Sequence, residues 1–149
     1  MTQQLCTFFV ADRFFGVDVT RVQEVIRHQE MTHVPLASAV ISGLINLRGQ
    51  IVTAIEMRAR LGLPPRDAGS LPMNVIVRTA DGPVSLLADE IGDVLEVGED
   101  ALEPVPETMH AAARDLISGV YKLEGSLLLV LDPERAVNVQ ATAPARTGE

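Results

Sequence analysis

Hydrophobic residues occur along this chain in short runs bounded by turn residues, a pattern typical of β-strands. Ala11, Asp12 and Arg13 separate the first two runs, and Asp81-Gly82 is a strong hairpin signal at the equivalent place later in the chain. We therefore predict a mainly β fold. The predicted strands lie at 5–10, 14–19, 22–26, 49–55, 74–77, 84–88, 91–97 and 126–131.

One segment of the chain occurs twice. Residues 41–49 and 117–125 share five of nine residues, and the second begins 76 positions after the first. Each copy begins with a predicted hairpin. Near the end of each copy, an acidic residue directly after a strand predicts the start of a short helix. In the second copy, Asp132 is the predicted helix cap and Pro133 takes the first helical position. Such a repeat predicts two small domains built alike.

The repeat suggests a division of the chain into two barrels. About five short antiparallel strands per copy favour a small barrel, since closure removes unpaired strand edges. The predicted fold class is mainly all-β, with two tandem five-stranded barrels and short helices at the barrel ends; one continuous sandwich is the alternative. We place the barrels at 1–66 and 73–137, a connector at 67–72 and a flexible tail at 138–149.

Composition and charge restrict the function. Hydrophobic residues make up 47% of the chain, but aromatic residues only 3%, with no Trp, so platforms for stacking bases are scarce. The net charge of −8 repels phosphate backbones, which disfavours nucleic acid. Eight acids and no basic residue lie at 89–107. This stretch is either a solvated surface or an electrostatic docking face.

The sequence also bears on location. Cys6 is the only cysteine, so a disulfide framework is excluded and a reducing compartment is favoured. The N-terminus lacks a basic region followed by an apolar stretch, and no run approaches the roughly 18 apolar residues of a membrane span. We expect a cytoplasmic protein that does not insert into the membrane.

Catalytic chemistry finds no support in the residues. The histidines are His28, His33 and His110, and none lies beside a cysteine in a zinc-like spacing. Cys6 has no evident histidine partner, and the phosphate-loop and nucleophile-elbow motifs are missing. We therefore expect no catalytic residue, no metal and no cofactor.

The two copies differ most at one turn. Gly43 and Gly49 recur as Gly119 and Gly125, which indicates backbone requirements: a bend into a strand and a positive-φ turn out of it. Arg48 has Glu124 as its counterpart, so the arginine belongs to the first copy alone. On a neighbouring strand, Glu24 could form a bidentate pair with Arg48. The alternative is an ordinary surface ion pair.

At these residues the sequence resembles the CheW family of bacterial chemotaxis coupling proteins. The resemblance covers about 5–137 and depends on Val-Gln-Glu-Val at 22–25, Ile-Ser-Gly through Asn-Leu-Arg-Gly at 41–49, and the strand and helix start at 51–58. One departure is Glu56-Met57-Arg58, where the family usually has Asp-Leu-Arg. The resemblance implies two five-stranded barrels and an adaptor that performs no catalysis.

The resemblance also implies partners and a site. The partners would be the regulatory CheW-like domain of the histidine kinase CheA and the cytoplasmic tip of a chemoreceptor, or methyl-accepting chemotaxis protein, with recruitment to membrane-associated receptor arrays. A tandem-barrel module that binds a small ligand or an oligonucleotide is the alternative function. Ile45, Leu47 and Val22 would supply apolar contacts in a groove between the barrels, or else belong to the core. The candidate partner-binding residues are Val22, Glu24, Gly43, Ile45, Leu47, Arg48 and Gly49.

Overall fold

Ten strands form two five-stranded sheets in the computed structural model, which describes residues 2–35, 38–67 and 69–138. The strands are β1 (Thr2–Val10), β2 (Arg13–Asp18), β3 (Val22–Ile26), β4 (Ile41–Leu47), β5 (Gln50–Glu56), β6 (Met73–Thr79), β7 (Gly82–Ala88), β8 (Glu90–Gly98), β9 (Ile117–Leu123) and β10 (Ser126–Leu131). The helices are α1 (Met57–Arg60), α2 (Ala111–Arg114) and α3 (Pro133–Val137). The predicted all-β class is confirmed, and all but one residue of the predicted tail, 138–149, lies outside the described residues.

Each sheet combines strands from both copies of the repeat. Sheet 1 has the order β8-β1-β2-β10-β9, and sheet 2 has the order β3-β6-β7-β5-β4. The opening hairpin of each copy thus pairs with the three remaining strands of the other copy, through the parallel pairs β2–β10 and β5–β7. The sheets therefore do not follow the predicted division into barrels of residues 1–66 and 73–137. The copies offer each hairpin equivalent partner strands, so sequence patterns alone do not determine which copy a hairpin joins.

Both sheets are open rather than closed barrels, which corrects the prediction of closure. Within the described ranges, the strand pairings leave β8 and β9 as the edges of sheet 1 and β3 and β4 as the edges of sheet 2. In each sheet, one isolated antiparallel bridge adds a pairing to an edge strand. The bridge joins Thr32 to Leu44 in sheet 2 and Glu103 to Val120 in sheet 1. The segments after β3 and β8 each supply a single bridging residue, too few for a closing strand.

The recurring Ile-Ser-Gly glycine makes this bridge possible. Each segment carries a β-bulge at its serine, where the register with the next strand shifts by one residue. A Cβ atom on Gly43 would lie 2.7 Å from the Thr32 carbonyl oxygen, and one on Gly119 would lie 2.8 Å from that of Glu103. Both glycines therefore serve close approach of backbone to backbone, in addition to the predicted bend.

Apolar side chains form one large core between the sheets and a smaller core inside each. The central core combines buried residues of sheet 1, such as Phe8, Phe15 and Leu129, with residues of sheet 2, such as Ile55 and Leu86. Alternation along the strands produces this arrangement, because successive side chains face the central core and the interior of their own sheet in turn. The interior core of sheet 1 is Leu5, Tyr121, Leu128 and Val130, and that of sheet 2 is Ile45, Leu47, Val52 and Ile76.

A network of charged side chains also joins the sheets. Asp89, between β7 and β8, accepts hydrogen bonds from Arg58 Nη2 at 2.8 Å and Arg66 Nε at 2.9 Å. It also accepts one from the backbone N–H of Ala11, in the β1–β2 turn, at 2.6 Å. Glu56 caps α1 through the N–H of Arg58 and accepts a second hydrogen bond from Arg66 Nη1 at 2.6 Å. Two half-buried carboxylates thus bind two arginines, a neutral arrangement that spans both sheets.

The glycine contact predicts the effect of a single added methyl group. In Gly43→Ala, the new Cβ must displace the Thr32 carbonyl, so we expect a loss of about 1–3 kcal/mol in the free energy of unfolding, measured by urea denaturation. Gly69→Ala is the control, because a Cβ at Gly69 meets nothing within 4 Å and the residue has no positive φ. Equal stability of the two variants would contradict the close-approach role.

The network predicts an acid-dependent contribution to stability. Burial alone would raise the pKa of Asp89, but hydrogen bonds from Arg58, Ala11 and Arg66 outweigh it and hold the pKa below its ordinary value. The ionised form therefore stabilises the fold above pH ~4, and this contribution is lost as the pH falls through the folded pKa. We expect Asp89→Asn to cost about 2–4 kcal/mol at neutral pH.

Urea denaturation at several pH values checks this expectation. The difference between the wild type and Asp89→Asn should shrink as the solution is acidified below pH ~4. Asp81→Asn, in the β6–β7 turn, makes the same chemical change at an exposed position and serves as the control. A difference that stays constant with pH would show that the charge of Asp89 is not the stabilising feature.

Candidate partner-binding site

The turn between β4 and β5 consists of Arg48 and Gly49, which both have positive φ, 53° and 86°. Two such residues between paired strand ends are the signature of a type I′ hairpin. The side-chain oxygen of Asn46 accepts a hydrogen bond from the N–H of Gly49 at 2.9 Å and holds the turn. In the equivalent turn of sheet 1, Gly125 has positive φ and Glu124 does not. The left-handed backbone therefore coincides with the arginine found in only one copy, a strained geometry often found at functional sites.

Arg48 binds Glu24 in a bidentate pair. Its Nη1 and Nη2 atoms donate to Oε2 and Oε1 of Glu24, each at 2.6 Å. These hydrogen bonds lower the pKa of Glu24, and the same contact raises the pKa of Arg48 above its ordinary value. The side chain of Arg48 is 68% exposed and that of Glu24 is 21% exposed. The predicted pair thus exists, and it presents a fixed guanidinium to solvent.

This pair connects the two edges of an open sheet. Glu24 lies on β3 and Arg48 directly follows β4, and these strands are the edges of sheet 2. Sheet 1 has a counterpart, because Lys122 of β9 approaches Glu103 at 3.4 Å. That contact is single, and both of its side chains are more exposed, 72% and 46%. The sequence did not indicate this pair, because Glu103 lies outside the repeated strands.

Several of the predicted partner-binding residues are buried or half-buried. Ile45 and Leu47 are 1% and 8% exposed and belong to the interior core of sheet 2, which was the stated alternative for them. Val22 is half-buried against the central core. Gly43 is buried under the Thr32 carbonyl. Of the predicted residues, those brought together at the surface are Glu24, Arg48 and Gly49.

One candidate was missed by sequence analysis. Ile51 is 61% exposed and pairs with Asn46 across the β4–β5 ladder, beside the Arg48 turn. A signal for it existed in the alternation of β5. Val52 and Ala54 are buried, so the alternation places Ile51 at an exposed position of the strand. A polar residue is expected at such a position, and Ile51 is apolar.

The acidic stretch 89–107 includes β8, an edge of sheet 1, and continues beyond the end of that strand. Asp89 and Glu103 take part in the ion pairs described above, whereas Glu90, Asp93 and Glu96 are exposed. Segments 2–21 and 89–138, which supply sheet 1, hold five basic and fourteen acidic residues, a net charge of −9. Segment 22–88, which supplies sheet 2, holds six basic and five acidic residues, a net charge of +1. The negative charge of the chain is therefore concentrated in the segments that supply sheet 1.

No group of three or more His, Cys, Asp or Glu side chains in the part that the structure describes is placed to hold a metal ion. None of the helices described above has the length and apolar character needed to cross a bilayer.

Comparisons with known proteins agree with this architecture. Residues 4–141 match the CheW-like domain family. The chemotaxis protein CheW of Bacillus subtilis is 29% identical over 143 residues, which cover 96% of this chain and 92% of that protein. The probable chemotaxis protein CheW of Rhizobium etli is 27% identical over 132 residues, 89% of this chain and 85% of that protein.

A solved structure shares the fold. The crystal structure of the scaffolding protein TtCheW from Thermoanaerobacter tengcongensis superposes with a TM-score of 0.83, at 24% sequence identity, over 93% of this chain and 94% of that one. The same two-sheet arrangement therefore occurs at low sequence identity. Because the family match spans nearly the whole chain, this protein belongs to the CheW family of chemotaxis proteins and is a non-catalytic adaptor of chemotaxis signalling.

Proposed function

We propose that this chain couples chemoreceptors to the histidine kinase CheA, and that the kinase's regulatory CheW-like domain docks at the Arg48–Glu24 end of sheet 2. The observation that carries the proposal is the state of Arg48, an exposed guanidinium fixed by two hydrogen bonds on a strained turn. A side chain held in this way loses little conformational freedom when a partner binds, which favours affinity.

The surroundings of Arg48 suit a protein interface. Two of its five N–H donors are used by Glu24, so others remain for a partner's carboxylate or carbonyl. Gly49 has no side chain and leaves its backbone accessible. Ile51 adds an exposed apolar side chain beside the charged pair. Arginine is one of the residue types that are enriched among those that dominate binding energy.

The receptor is the second partner in this proposal. Its helical cytoplasmic tip would lie in the groove between the two sheets, where β3 begins at Val22. Grooves between packed elements accept the apolar face of a helix, and Val22 is partly exposed at that position. The adaptor would then act in the cytoplasm, and its partners would recruit it to membrane-associated receptor arrays.

Ligand or oligonucleotide binding was the alternative function. The net charge of −8 opposes a phosphate backbone. Phe8 and Phe15, two of the four phenylalanines, are fully buried and stack on one another in the central core, so they offer no base a stacking surface. These observations favour the adaptor.

Reversal of the charge at Arg48 tests the proposal. In Arg48→Glu a carboxylate faces Glu24, so the fixed cation is lost and like charges repel. We expect the affinity for the kinase regulatory domain, measured by calorimetry, to fall about tenfold or more with the circular dichroism spectrum unchanged. Arg114→Glu makes the same change on exposed α2 and should leave the affinity unaltered. If both variants lose affinity equally, the change in net charge alone would explain the loss.

Removal of the side chain separates binding from folding. Arg48→Gly relieves the positive φ, so we expect the midpoint of thermal unfolding to stay the same or rise. Binding to the kinase domain should nevertheless weaken, because the guanidinium is gone. A lower midpoint with intact binding would mean that the pair serves the fold instead.

The wild-type chain provides the broadest test. Pull-down with purified kinase regulatory domain and, separately, with a receptor tip should capture the chain in both cases. Failure to bind either partner would overturn the proposed function.

A further inference from the structure

A side chain of α3 reaches across to sheet 2. Oε2 of Glu134, in the first turn of that helix, accepts hydrogen bonds from Arg21 Nη2 at 2.6 Å and from the backbone N–H of Ala80 at 3.0 Å. Arg21 lies in the 3₁₀ turn Val19–Arg21, where the chain passes from sheet 1 to sheet 2, and Ala80 lies in the β6–β7 turn. One carboxylate therefore joins the helix that follows β10 to two segments bordering sheet 2.

Arg21 and Arg78 hold the start of β3 together. Nε and Nη2 of Arg21 donate to the carbonyl of Arg78 at 3.2 and 2.8 Å. In return, Nη1 of Arg78 donates to the carbonyls of Thr20 and Val22, both at 3.2 Å. Two guanidinium groups thus fix the backbone at the point where the strand begins.

The strand that follows depends on this anchor. β3 is an edge strand that pairs with β6 alone, and its register shifts by one residue between Val22 and Glu24. A bulge on an edge strand leaves few ladder hydrogen bonds to set the position of the next residue. That next residue, Glu24, is the one that must meet both nitrogens of Arg48.

We propose that Glu134 is a positioning residue for partner binding: it holds Arg21, and through Arg21 and Arg78 the start of β3, so that Glu24 aligns with Arg48. The inference rests on the proposed function, in which the Glu24–Arg48 pair receives the kinase. In this proposal, a helix attached to sheet 1 affects binding on sheet 2 through the hydrogen bonds of Glu134, Arg21 and Arg78.

The test begins with the free protein. Glu134→Gln keeps the size of the side chain but removes the charge that binds Arg21. We expect the amides of β3, residues 22–26, to exchange about five- to tenfold faster with solvent, while those of β9 and β10 stay unchanged. The pKa of Glu24, followed by NMR titration, should rise towards its ordinary value as the pair with Arg48 loosens.

Glu103→Gln is the matched control. Glu103 also forms one surface ion pair, with Lys122, and its side chain has the same exposed fraction, 46%, as that of Glu134. This variant should alter neither β3 exchange nor the pKa of Glu24. If Glu134→Gln leaves both quantities unchanged, or speeds exchange equally in all strands, the positioning role is overturned.

Binding provides the second readout. Glu134→Gln should weaken the affinity for the kinase regulatory domain about three- to tenfold. Combined with Arg48→Glu it should add little, because both changes disable the same pair. If β3 exchange and the pKa of Glu24 respond but Arg48→Glu binds the kinase normally, the proposed function fails while the local positioning by Glu134 stands.

Discussion

The apolar core between the two sheets is the interaction on which the rest of this structure depends. Phe8 and Phe15 from sheet 1 pack there with Ile55 and Leu86 from sheet 2, so neither sheet buries its inner face without the other. Large shared apolar interfaces hold packed units in one orientation. The crossover into β3 and the Asp89 network both depend on the relative position of the two sheets, which that packing determines.

Local features of the fold could be predicted from the sequence, and long-range choices could not. The opening hairpins and the caps at Glu56 and Asp132 follow from turn and capping chemistry, which acts over a few residues. The partner of each hairpin does not, because the duplicated strands present the same pattern twice. Glu56 illustrates a second limit. The family usually has an aspartate at this position, yet the longer side chain of Glu56 caps α1 and also reaches Arg66.

The residues of the candidate site also include some that could be predicted from the sequence and some that could not. The pairing of Arg48 with Glu24 could be predicted because the other copy lacks these opposite charges, and the structure places the two groups in contact. Ile45 and Leu47 were predicted either to contact a partner or to belong to the core, and their burial assigns them to the core. The contacts of Glu134 with Arg21 and Ala80 join segments that are distant in sequence. No local pattern encodes them.

The exchange of hairpins sets the order in which the sheets can be completed during synthesis. Sheet 2 has all of its strands once residue 88 has been made, because β7 is the last of them. Sheet 1 begins with the first strand of the chain and ends with β10 at Leu131. The N-terminal hairpin is therefore made first and paired last, and until β8 and β10 emerge its edges are free to join other chains. In a nascent chain, the hairpin β1–β2 thus stays open to misassembly until residues 90–131 have been made.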